Sequence, residues 1–337
     1  TLHAFNDRIT AIATELKVTR GRKLRTDGTV IETNIAYPTD SNLLAGGVRV
    51  LSRSLKRAKE VVKDSAQLAA KTFRDRTRSA RNQARRIARR ARQRSAAAKE
   101  DMQKAYQRLV HVTRATVKQA ETVVDTLKVE SSQAAQRLVE ILEAFLPHVE
   151  QALDQTVRRV FEGESVPARE KIVSLFEPHS DIIRRQKAGK PVEFGHKVWL
   201  DEVDGGIVTD WRVLDGNPSD AEQWQPAIDH HLRQFGKPPW QASGDRGLYS
   251  PDNEAYARRQ GVKRTILPKP GRKSKSRKEQ EAQSWFKRGR RFHAGVEGRI
   301  SVLKRKHGLD RCLDRGEEGF DKWVGWGVIA GTLAVMG

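Results

Sequence analysis

Three carboxylates in this sequence sit where their charge needs a reason. Asp27 falls inside the stretch 23–35, where Leu24, Val30, Ile31 and Ile35 alternate with threonines and read as a strand. A carboxylate in the middle of a core-like strand costs desolvation energy unless a cation or hydrogen bonds offset it. Asp245 follows a second apolar run, 240–243, at a carboxyl end of the kind where open sheets place their ligands. Glu297 lies in a long helical pattern between Gly295 and Gly298, small residues that let a helix approach a sheet closely. Two strand carboxylates and one helix carboxylate form a set of hard oxygen ligands suited to Mg²⁺, which keeps positions open for water and phosphate. A pair of such ions about 4 Å apart activates an attacking oxygen and stabilises a leaving one. The chemistry this set suits is metal-dependent phosphoryl transfer.

The elements that must position these residues fall into three zones. Residues 1–42 give an amphipathic helix (Phe5, Ile9, Ile12, Leu16) and then the first strand, closed by Tyr37-Pro38-Thr39-Asp40-Ser41, in which Asp40 or Ser41 caps the next helix. Residues 43–186 are helical throughout in pattern. Their apolar stripes are Leu51, Leu55, Ala58, Val62, Ala69 and Phe73, then Met102, Tyr106, Leu109, Val117, Ala120, Val124 and Leu127, then Leu138, Ile141, Leu142, Phe145, Val149, Leu153 and Val157. Long, narrow stripes suit a bundle or a coiled-coil arm. Pro147 is expected to kink or interrupt the third helix, and Gly163 with Pro167 to end it.

Residues 187–337 return to mixed structure. Strands over 192–200 and 206–214 flank a hairpin turn, 201–205, in which Asp201, Glu202 and Asp204 are expected to be solvated. A helix over 220–235 follows, with Ser219 or Asp220 as its cap. Then come the strand 240–243, a helix over 253–259, a strand over 263–267, a basic loop at 269–279, a helix from about 281 to 307 and a last apolar helix from about 320. His196, on a strand, reads as a core histidine. The expected fold class is α/β: a mixed sheet with flanking helices, interrupted by a large all-α insertion.

Composition indicates the partner. With 64 Lys and Arg against 42 Asp and Glu, the formal charge of +22 calls for a polyanion, nucleic acid ahead of an anionic membrane. Residues 74–94 hold ten Arg and one Asp, and on a helix Arg85, Arg86, Arg89 and Arg90 suit a phosphate backbone. Arg272, Lys273 and Lys275 in the basic loop, with Arg290 and Arg291 beyond it, would make the rim of a site strongly positive. The single cysteine, Cys312, excludes an intrachain disulfide and fits a reducing cytosol. The apolar run 324–336 is too short and too Gly-rich to span a bilayer, and reads as a buried helix. The chain starts at Thr1 with no signal peptide, so elements upstream are expected to be missing.

Several segments in one order resemble the bacterial insertion-sequence transposases of the DDE class, most closely the ISNCY group. They are Leu24-Arg25-Thr26-Asp27-Gly28-Thr29-Val30-Ile31-Glu32-Thr33-Asn34-Ile35, Tyr37-Pro38-Thr39-Asp40-Ser41, Glu193-Phe194-Gly195-His196-Lys197-Val198, Gly216-Asn217-Pro218-Ser219-Asp220, Asp245-Arg246-Gly247 and Gly295-Val296-Glu297-Gly298-Arg299-Ile300-Ser301-Val302-Leu303-Lys304-Arg305. The resemblance implies a ribonuclease H-like fold and a triad of Asp27, Asp245 and Glu297 holding two Mg²⁺ or Mn²⁺ ions. It also implies cleavage at transposon ends followed by strand transfer, with terminal repeats and target DNA as partners and a homodimer that synapses two ends. The implied setting is the bacterial cytoplasm, at the nucleoid. Many relatives carry Tyr, Arg, Glu and Lys in series on the last catalytic helix. Glu297 and Lys304 keep that spacing here, whereas Arg290 stands at the Tyr position and His293 at the Arg position. Lys304 and Arg246 are implied DNA contacts, and His293 either touches DNA or packs. The large insertion lies between the first strand and the hairpin, whereas familiar relatives place one between the second Asp and the Glu. The competing functions are a stand-alone nuclease of the same fold and a non-catalytic, domesticated DNA-binding protein.

Overall fold

The computed structural model describes residues 1–61, 74–184 and 191–337. The chain divides into two compact units, one made of 1–34 with 181–337 and the other of 35–180. The insertion therefore starts and ends a few residues earlier than the expected 43–186.

The first unit is built on an open mixed sheet of seven strands. At its centre is β1 (Lys23–Thr33), covered along one edge by antiparallel β3 (Val192–Val203), with Leu24 opposite Val203 and Glu32 opposite Gly195. Two antiparallel strands share the far edge of β3: β2 (Asp181–Arg184) and β4 (Ile207–Leu214). The other edge of β1 is also shared. There β5 (Gln241–Ser243) runs parallel beside Lys23 to Arg25, and β7 (Arg311–Cys312) runs parallel beside Glu32 and Thr33. Beyond β5 lies β6 (Arg264–Ile266), also parallel. Among the described residues no strand pairs with this edge of β1 between Arg25 and Glu32. The sheet has a notch there, and Asp27 lies in it.

Alternation along the strands sorts the two faces. Ile31, Val198, Leu200 and Trp211 pack with Ile9 of α1 (Leu2–Glu15), Leu303 near the end of α9 (Ser284–Lys306) and Val324 and Val328 of α10 (Gly316–Met336). Leu24, Trp199 and Val203 pack with Trp224 and Ile228 of α6 (Trp224–Phe235) and Ala257 of α7 (Pro251–Arg259). The apolar run near the chain's end is thus a helix buried against the sheet. No helix among the described residues is long and apolar enough to cross a membrane.

Four expectations needed correction in this unit. The strand β3 continues through Val203, so Asp201 and Glu202 are not turn residues; they are 1% and 0% exposed. The turn is tighter, at Asp204 to Gly206, with both glycines at positive φ (86° and 79°) that other residues resist. The helix expected over 281–307 is broken at Gln283, whose backbone is extended; ahead of the break α8 (Lys275–Ala282) begins inside the stretch expected to be a basic loop, and α9 follows it. Strand β2 lies where the sequence reads as the tail of the helical zone. The helix expected from residue 220 opens with a single 3-10 turn before α6 begins.

The second unit packs four described helices around one core: α2 (Asp40–Val61), α3 (Thr77–Arg90), α4 (Ala96–Leu127) and α5 (Gln133–Val160). Leu44, Leu51 and Leu55 meet Leu109, Leu127, Leu142 and Val149, so the stripes close on one another within the unit. Gly47 permits this approach, since a Cβ there would come within 2.8 Å of a Val149 methyl. Ser95 and Ser132 cap α4 and α5 by accepting backbone N–H groups. Thr39, rather than Asp40 or Ser41, accepts the Asn42 N–H at the start of α2. Pro147 lies inside α5 without ending it. The expected stripe residues Val62, Ala69 and Phe73 lie outside the described residues.

Candidate active site

The register of two parallel strands places the first two carboxylates. Arg25 lies opposite Ser243, the last residue of β5. Asp27 and Asp245 each follow two residues later, at the same level of the sheet. Both line one cavity of about 570 Å³, with Thr29, Lys197, Asp220 and Arg184 among its walls.

Asp27 is half-buried, and its Oδ1 accepts the Gly28 N–H at 2.7 Å. Gly28 must be glycine, because a Cβ there would press to 2.8 Å from the Trp199 ring. Asp245 caps the turn that follows it, its Oδ1 accepting the N–H groups of Gly247 (2.8 Å) and Leu248 (3.3 Å). Burial, and then the negative charge of Asp220, raise the Asp245 pKa above its ordinary value, against the lowering effect of those two N–H groups and of Lys197. An added cation would relieve this repulsion.

Asp220 is a functional candidate that sequence reasoning missed, having assigned it to a helix cap. Its side chain forms an ion pair with Lys197 of β3, whose Nζ also donates to the Pro218 carbonyl at 2.7 Å. A Cβ on Gly247 would lie 3.0 Å from Asp220 Oδ2 and 3.2 Å from Asp245 Oδ1, so the two carboxylates converge on that glycine. The only sequence signal was Lys197 itself, a cation within an apolar strand.

Glu297 does not line this cavity; it is exposed on α9. Its helix is nevertheless fastened along β1 on both sides of it. Arg25 donates to the Phe292 carbonyl at 2.6 Å and lies 4.9 Å from that residue's ring. Gly295 gives the guanidinium room, since a Cβ would collide with Arg25 Nη1. Farther on, Lys304 Nζ donates to the Val30 carbonyl at 2.6 Å, inside the notch. The turn carrying Glu297 therefore lies between tethers to Arg25 and Val30, along the stretch of β1 that holds Asp27. Among the described residues, no three His, Cys, Asp or Glu side chains stand close enough together to enclose a metal ion. Asp27, Asp220 and Asp245 are nonetheless hard oxygen donors lining one cavity, and in type they fit a divalent cation.

Behind the site lies a buried charge network, which explains why β3 runs on through its acidic residues. Arg25 forks onto Glu202 (Nε 2.8 Å, Nη2 2.5 Å), and Arg299 Nε of α9 lies 3.6 Å from the same carboxylate. Arg212 bonds Asp201 (2.8 Å) and Asp210 (2.6 Å), and Thr26 donates to Asp201 at 2.5 Å. His196 is buried beside Asp181 and the Phe320 ring, as a core histidine. His293 is half-buried; burial, then the charge of Arg25, lower its pKa to about 4 against a hydrogen bond to the Ser243 backbone. It is neutral at pH 7 and packed at the carboxyl end of β5.

The remaining basic candidates separate by partner. Arg246, Arg272, Lys275, Arg290 and Arg291 are exposed. Lys273 is tied to Glu281 at 2.5 Å, and Arg277 anchors the same loop through Glu254 (2.6 Å) and Glu281 (2.9 Å). In the second unit Arg86 and Arg90 both hold Asp101, Arg90 at 3.0 Å, and the Arg86 guanidinium first among them keeps that carboxyl down at about 2. Arg85 and Arg89 are exposed. In comparisons with known proteins the chain matches no family model, no curated protein and no solved structure.

Proposed function

We propose that this chain is the catalytic part of a DDE-type DNA transposase on a ribonuclease H-like fold, a polynucleotidyl transferase that cuts transposon ends and joins them to target DNA. The observation that carries the reading is the shared level of Asp27, within β1, and Asp245, just past the end of the adjacent parallel β5, which line one cavity at a notch in the sheet. The fastening of the Glu297 helix along the same stretch of β1 adds to it.

Asp27, Asp220 and Asp245 line the cavity and would hold the cations, and the resemblance adds Glu297 from the helix. Two Mg²⁺ or Mn²⁺ ions, when bound, activate the attacking oxygen and stabilise the leaving one. In the first step a water oxygen forms the new bond to phosphorus and the 3′ oxygen of the transposon end leaves as a hydroxyl. In the second that hydroxyl attacks a target phosphodiester, whose own 3′ oxygen leaves, so a DNA–DNA bond replaces the one broken. Exposed Arg246, Arg272, Lys275, Arg290 and Arg291 supply positive charge for the strands. Terminal repeats and target DNA are the partners, two protomers synapse two ends, and the setting is the bacterial cytoplasm at the nucleoid.

The test is a labelled duplex ending in the element's own terminal repeat, incubated with a supercoiled plasmid, the full chain and Mg²⁺ or Mn²⁺. Label joined to the plasmid is the expected result. Cut ends without joined product would instead indicate a nuclease. DNA binding with neither product, in either metal, would indicate a non-catalytic DNA-binding protein.

A further inference from the structure

Helix α3 presents two kinds of arginine, and the structure tells them apart. Its buried side is small and apolar, made of Ala80, Ala84 and Ile87. Arg86 and Arg90, on one flank, are committed to Asp101. Arg78, Arg81, Arg85 and Arg89 recur at steps of three and four, and therefore share one face. All four are exposed, and among the described residues no carboxylate pairs with any of them.

Four uncompensated cations on one helix face repel one another. An exposed helix ordinarily gains support from acids at i ± 4, and this face has none. The repulsion is relieved by a partner that is itself a line of negative charge. From Arg78 to Arg89 the face extends about 16 Å at 1.5 Å per residue. Over that length one strand of a DNA duplex offers a phosphate about every 3.4 Å. The guanidinium groups, spaced about 5 Å apart along the axis, can each find a phosphate without reading a base.

We propose that the Arg78, Arg81, Arg85 and Arg89 face of α3 is a docking surface for the sugar–phosphate backbone of duplex DNA. Arg86 and Arg90 belong to the fold of the helical unit and not to this surface. The assignment is independent of the carboxylate cavity, and its test reads binding alone.

The experiment measures affinity of the full chain for a fluorescent duplex of arbitrary sequence across a series of KCl concentrations. It compares the natural protein with R78Q/R81Q/R85Q/R89Q and with R86Q/R90Q. Glutamine is a good helix former, and far-ultraviolet circular dichroism checks that the helices persist. Each phosphate contact contributes about 0.9 to the slope of log K against log salt, so the fourfold variant should lose about 3 to 4 from that slope. Scrambling the duplex sequence should leave the loss unchanged. The double variant should change the slope by less than about 1. A fourfold variant with the natural slope would overturn the proposal and leave the face to an acidic protein partner. An equal loss in the double variant would overturn the sorting of the arginines. Should slopes behave as expected while the natural protein cuts no DNA, the catalytic reading falls and this surface stands.

Discussion

Asp27→Asn is expected to lower metal-dependent strand cleavage by about 10³-fold or more, the scale on which single members of a catalytic set act, while duplex affinity is retained. The change is narrow. Asn keeps the oxygen that accepts the Gly28 N–H, and β1 keeps its pairing with β3, because Leu200 lies opposite residue 27 through backbone bonds alone. The loss is one negative charge, in a cavity that also holds Asp220 and Asp245. A neutral amide is a poor ligand for a hard divalent cation. Duplex binding survives because the removed carboxylate repels phosphate. Cleavage by purified protein, measured beside anisotropy on the same DNA, checks both halves. Equal cleavage by the two proteins would remove Asp27 from the site.

Glu202→Ala is expected to destabilise the sheet-bearing unit by about 3–5 kcal/mol, the range found when one partner of a buried ion pair is removed. The Glu202 side chain is 1% exposed, and the Arg25 side chain that forks onto it is 13% exposed. Without the carboxylate, Arg25 and Arg299 keep their charges in a place with little water. Arg25 also holds the Phe292 carbonyl, so the loss should loosen α9 on either side of Glu297. Glu202→Gln keeps the shape and one acceptor, and should cost less. Tryptophan emission during urea unfolding is a clean readout, because Trp199, Trp211, Trp224, Trp240, Trp285, Trp323 and Trp326 are all in this unit. A loss of unfolding free energy below about 1 kcal/mol for Glu202→Ala would mean that water reaches the network.

Where the sequence was legible, local pattern and final structure agree. The apolar and threonine run around Asp27 marks β1, and three- and four-residue spacing marks the helices of the second unit, since in both cases the apolar positions are the buried ones. The misreadings come from long-range compensation. Asp201 and Glu202 resemble a turn by composition, and Arg25 and Arg299, far away in the chain, with Arg212 on the neighbouring strand, make a buried strand tolerable there. Arg86 and Arg90 look like free cations until Asp101 meets them from the next helix. Asp220 does not cap the helix as expected: it stands inside a 3-10 turn that has no side-chain cap bond, and its carboxylate pairs with Lys197 of β3 in the cavity lining. The break at Gln283 has no Pro or Gly to announce it, and β2 is too short to show a period. Gly295 and Gly298 single out Glu297 in the sequence, and the structure leaves its side chain exposed on α9, outside the cavity. What the sequence did not show was that Gly295 makes room for Arg25, the residue that fastens the helix.

One cavity is expected to bind divalent cations through Asp27 and Asp245. Mn²⁺ added to the full chain with duplex DNA, followed by electron paramagnetic resonance of the free ion, measures this without requiring turnover. The natural protein should remove Mn²⁺ from solution, and Asp27→Asn and Asp245→Asn should each remove less, with their folds intact by circular dichroism. If the natural protein takes up no more Mn²⁺ than either variant, these carboxylates do not form a metal site and the central claim is wrong.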